Sequence, residues 1–144
     1  MIENDTIRLL RECDAGVKMG ITSLDETIGY VKSKELRSTL KSSLKENDRL
    51  KTEITSMLHK YHDKGKDPDV IAKGMTWLKT NAKLVTDPSD ESVADLITDG
   101  CNMGVKSLTK YLNKYTAADE KSKELAKELI SAEERLAVDI REYL

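Results

Sequence analysis

The chain has 144 residues, 38 % hydrophobic and 35 % charged, with a formal net charge of −2. That length suits one domain (residues 1–144) able to bury roughly 68–70 % of its unfolded surface. The two signs of charge are interleaved, with no basic patch for phosphate backbones, which argues against nucleic acid as a partner. No apolar run approaches the ~18 residues of a membrane span, and "MIENDTIRLL" lacks the basic-then-apolar order of a signal peptide. The expectation is a cytoplasmic protein with no membrane partner.

Apolar residues recur at helical spacing almost throughout. The first predicted helix carries Ile7, Leu10, Val17, Ile21, Leu24, Ile28 and Val31. The second carries Leu36, Leu40, Ser43, Asn47, Leu50, Ile54, Met57 and Tyr61, with Ser33 as its N-cap. Gly65 is expected to end it, with His59, Lys60, His62 and Lys64 in the last turn, where the helix dipole favours cations. Asn47 falls on the core stripe, where a buried amide sets register or finds a partner.

In "KDPDV", Asp67 caps and Pro68 starts a third helix with Ile71, Met75, Leu78, Ala82 and Val85 on its stripe and Trp77 one step off it. In "TDPSDES", Asp87 caps and Pro88 starts a fourth, with Val93, Ile97, Cys101, Val105, Leu108, Leu112 and Tyr115. After a cap at Thr116 or Asp119, a fifth carries Leu125, Leu129, Ala132, Leu136 and Ile140. No segment alternates with period two, so the chain is expected to be all-α.

"GVKMGITSL" at 16–24 matches "GCNMGVKSL" at 100–108, and "KSKEL" at 32–36 recurs at 121–125. The chain therefore reads as two duplicated helical hairpins, 2–64 and 87–144, joined by a shorter crossover helix, 67–85. Two hairpins linked by one long connection describe a ferritin-like four-helix bundle. Gly16, Gly20, Gly100 and Gly104 would then let the first and fourth predicted helices approach closely, with Met19 and Met103 filling the space beside them. Alternatively, the same residues line a small-molecule cavity at mid-bundle.

The segments "CDAGVKMGITSLDETI", "VADLITDGCNMGVKSL" and "VKSKELRSTL" resemble a group of small ferritin-like four-helix-bundle proteins of unknown function from Firmicutes such as clostridia. The resemblance covers nearly the whole chain. It implies a ferritin-like bundle and supplies no established activity.

Di-iron bundles of that class need a Glu from each of two helices and a Glu-x-x-His from each of the other two. The sequence has no Glu-x-x-His, so no cofactor and no enzymatic activity are expected. Its two histidines, His59 and His62, read as surface residues at a helix end, and Cys13 and Cys101 as packed thiols. A weaker alternative is a carboxylate-only metal site from Glu12, Glu46, Asp99 and Glu133. Against it, Glu46 and Glu133 lie one step off the apolar stripe, where solvated flanking charges are normal. The leading expectation is a non-enzymatic binding or structural module, a homo-oligomer or the ligand of another protein.

Overall fold

The structure is a computed structural model that describes residues 4–68, 84 and 86–144. These form four long helices, α1 (Asn4–Ile28), α2 (Lys34–Lys60), α3 (Asp90–Lys114) and α4 (Glu120–Asp139), closed by a 3-10 turn at Arg141–Tyr143. Among the described residues there is no strand. Apart from Asp67, Pro68 and Leu84, the expected crossover helix at 67–85, including Trp77, lies outside the described residues.

Short turns join α1 to α2 and α3 to α4, so each pair is antiparallel. Bonds at the helix ends fix how the pairs meet. The amides of Lys32 and Ser33, after α1, donate to the Asp90 carboxylate at the start of α3. The amides of Ala117 and Asp119, after α3, donate to Asp5 and Thr6 at the start of α1. Hence α1 runs antiparallel to α3. Tyr61, at the end of α2, donates to Asp119 at the start of α4, which sets those two antiparallel as well. Because α2 ends where α3 finishes, the connection between them joins opposite ends of a bundle about 37 Å long.

Three N-caps hold the helix starts. Ser33, Ser89 and Asp119 each accept the amide three residues on, from Leu36, Ser92 and Ser122, a bond worth about 1 kcal/mol. Ser33 is the expected cap, and Asp119 is the one of the two expected positions, Thr116 or Asp119, that the structure uses. The expected cap at Asp87 and start at Pro88 are not found: the helix begins at Asp90, and Asp87 instead accepts the Ser92 hydroxyl. Nor does Gly65 end α2. The helix stops at Lys60, where the amides of His62 and Asp63 reach back to the carbonyls of His59 and Leu58. This closure needs a left-handed residue, and His62 supplies it at φ 57°.

The apolar core falls into two clusters. One gathers Leu9, Leu10, Cys13 and Val17 with Leu50, Ile54, Leu108, Leu125 and Leu129. The other gathers Leu24, Leu36 and Leu40 with Leu84, Val93, Ile97, Cys101, Leu136 and Ile140. The break falls between Val17 and Leu24, Leu40 and Leu50, and Cys101 and Leu108, near the middle of α1, α2 and α3, and between Ala132 and Leu136, in the second half of α4.

Candidate functional site

Four residues occupy the level where the core divides: Gly20 on α1, Asn47 on α2, Gly104 on α3 and Glu133 on α4. A Cβ on Gly20 would lie 3.3 Å from Asn47 Nδ2. A Cβ on Gly104 would lie 2.1 Å from Glu133 Oε2 and 2.5 Å from Oε1. Across the pairs, Gly16 faces Leu108, which in an antiparallel register brings Gly20 level with Gly104. The Tyr61–Asp119 bond likewise brings Asn47 level with Glu133. Counted from their N-caps, Ser33 and Asp119, both polar side chains stand fourteen residues along their helices. Each hairpin thus offers a glycine on its first helix to a polar side chain on its second.

Gly104 is a slot for a carboxyl group. Glu133 Oε2 is buried and has no hydrogen-bond partner among the described residues. A carboxylate stripped of water and of donors pays heavily for its charge, and burial pushes the Glu133 carboxyl up to about 8 from its ordinary 4.5. Cys101, one turn before Gly104, is buried, and its thiol is pushed up to about 12, first by burial and then by the Glu133 charge. Cys13, in the other cluster, is pushed up to about 12 by burial, with smaller contributions from Glu12 and Asp14. Neither thiol is a nucleophile at neutral pH.

The structure corrects the expected packing at mid-bundle. Met103 is 64 % exposed, and a Cβ on Gly100 would meet nothing within 4 Å among the described residues. These two residues face outward and line neither a helix contact nor a cavity. Gly16 makes ordinary contact with Leu108 across the α1–α3 pair, whereas Gly20 and Gly104 serve side chains within their own hairpins. Met19 is half-buried. Glu133, expected as a solvated flanking charge, has its carboxyl buried instead.

The four carboxylates of the metal alternative are dispersed. Glu12 binds Lys66 Nζ at 2.6 Å. Glu46 is held by Arg135 at 3.4 Å and Arg49 at 3.6 Å. Asp99 is exposed, and Glu133 is sunk against Gly104. Among the described residues, no three His, Cys, Asp or Glu side chains converge on a point that would hold a metal ion. His59 and His62 are exposed at the end of α2.

A second built region, not foreseen in the sequence, pins the chain that leaves α2 onto α1. Asp14 is 2 % exposed, and its carboxylate accepts the Lys66 amide at 3.0 Å and Lys18 Nζ at 2.8 Å. Gly65, at φ +83°, passes so close that a Cβ would lie 2.3 Å from Asp14 Oδ2. Arg11 grips Asp63 through two guanidinium nitrogens, and Lys18 also reaches Asp67 at 3.1 Å. The Arg11 guanidinium holds the Asp63 carboxyl below its ordinary 3.8. The alternation Arg11, Glu12, Asp14, Lys18 against Asp63, Lys66, Asp67 is the signal that reveals this clamp once the loop is laid on the helix.

No family model, curated protein or solved structure matches the chain. Among the described residues, no helix is long and apolar enough to cross a membrane.

Proposed function

We propose that the chain is a ferritin-like bundle of two duplicated hairpins that works as a non-enzymatic binding or structural module in the cytoplasm, either self-associating or docking a protein partner. The two antiparallel hairpins, joined by a connection between opposite bundle ends, support the ferritin-like reading. The cap-to-polar spacing shared by Asn47 and Glu133 supports the duplication.

One observation carries the functional reading: the acids that would make a metal centre are already engaged. Lys66 takes Glu12, Arg49 and Arg135 take Glu46, and the Gly104 slot takes Glu133. The outward positions of Gly100 and Met103 count against a small-molecule cavity built on the repeated glycines.

Metal analysis of purified, chelator-washed protein after incubation with ferrous or manganous ion tests this proposal. Less than one ion per ten chains is expected. A stoichiometric ion that disappears in Glu46→Ala would overturn it in favour of the carboxylate-only site.

A further inference from the structure

We propose that Glu133 is a proton-operated latch between α3 and α4: its neutral carboxyl rests in the Gly104 slot and keeps the mid-bundle closed, and loss of the proton drives the side chain out and opens the bundle beside Cys101. The carboxyl group fills the slot. The three atoms nearest to a Cβ on Gly104 all belong to the Glu133 carboxyl, so the glycine and the acid fill one another's space. Among the described residues, the orphan oxygen has no donor that would hold it as an anion.

Among the described residues, the charged groups named here at this level are paired elsewhere or exposed. On α1, Lys18 is bound to Asp14 and Asp67. On α2, Arg49 lies against Glu46, Glu53 and Glu128, and Glu46 also meets Arg135 of α4. On α3, Lys106 is exposed and Cys101 is a buried thiol that stays protonated. None of these neutralises Glu133, whose upward shift has burial as its cause. The residue as a whole is partly exposed although Oε2 is buried, so solvent is within reach of a side chain with three rotatable bonds. Ionisation in the slot leaves an unpaired buried charge, and departure relieves it.

Alkylation of Cys101 by iodoacetamide, followed by peptide mass spectrometry, reads the latch. Wild type and Glu133→Gln are compared from pH 6 to 9.5, with Cys13 as the internal reference. The amide keeps the shape of the carboxyl group and carries no ionisable proton. The ratio of wild-type to variant rates at Cys101 is expected near one at pH 6 and above tenfold at pH 9, with the Cys13 ratio unchanged.

A ratio that stays flat overturns the proposal. So does one that falls, because the Glu133 charge acting through space on a closed bundle would only suppress the thiolate. A parallel rise at Cys13 also overturns it, since that reports unfolding of the whole bundle. Gly104→Ala is the second variant, informative even if the amide variant fails to fold. With its slot filled, it is expected to label Cys101 faster than wild type already at pH 6 and to lack the wild-type rise with pH. Retention of the wild-type profile counts against the latch.

Discussion

Two buried carboxylates in this molecule sit against a glycine where a side chain would collide, and they are built in opposite ways. Asp14 faces Gly65 and is satisfied, by a backbone amide and a lysine, inside a clamp of further ion pairs. Glu133 faces Gly104 and has an orphan oxygen. The first carboxylate is met by its donors and ties a loop to a helix. The second is kept neutral by its lack of them. The same residue chemistry and the same steric device therefore give a rivet in one place and a titratable element in the other.

The largest effects are expected at the rivet. Asp14→Ala takes the acceptor from the part-buried Lys66 amide, leaves Lys18 only Asp67, and should cost about 2–3 kcal/mol in denaturant unfolding. Gly65→Ala forces a Cβ into the carboxylate and into a left-handed backbone, which alone costs about 1–2 kcal/mol. The corresponding change at the other site should behave differently. Gly104→Ala displaces the end of a flexible side chain, relieves an unpaired group and gains about 1 kcal/mol of helix propensity. Its stability at pH 7 should lie within about 1 kcal/mol of wild type. A loss of 3 kcal/mol or more would mean that the slot is as rigid as the clamp.

Acid and base separate the two sites by sign. The Glu133 carboxyl titrates higher folded than unfolded, so its contribution to stability is complete below about pH 4.5. It is lost progressively up to about pH 8 and is level beyond. Unfolding curves should lose about 1.4 kcal/mol per pH unit from this group across that window, and Glu133→Gln should remove the slope. Asp63 runs the other way. Its carboxyl titrates lower when folded, so its stabilisation is present above its ordinary 3.8 and is lost as pH falls through the depressed value. Added salt should weaken the exposed Arg11–Asp63 pair and leave the Glu133 slope unchanged.

The smallest effect is expected at the end of α2. His62→Gly removes a left-handed, non-glycine residue and should stabilise the protein by up to about 1 kcal/mol in thermal unfolding. No gain would mean that the imidazole makes a compensating contact.

Much of this was legible in the sequence, because helical periodicity and caps are local. The apolar stripes, the Ser33 cap and the buried Asn47 follow from spacing, which left Thr116 and Asp119 as alternatives for the last cap. Where two caps competed, sequence order misled: Ser89 captures the Ser92 amide and leaves Asp87 its hydroxyl. Gly65 looked like a helix end because its left-handed φ serves a contact across 51 residues of chain, with Asp14.

Glu133 was the hardest. One step off a stripe is normally solvent, and the glycine that lets this acid turn inward lies on another helix. The repeated "KSKEL" hid its equivalence to Asn47. Ser33 caps α2, but its sequence counterpart Ser122 is the third residue of α4, so the two helices start out of step with the motif.

The most direct test of this account is a carboxyl-carbon NMR titration of Glu133, assigned by its loss in Glu133→Gln. The expected result is a midpoint near 8, far from the other glutamates. A midpoint at its ordinary 4.5 would contradict it, since a solvated or partnered carboxylate does not sit unpaired against Gly104.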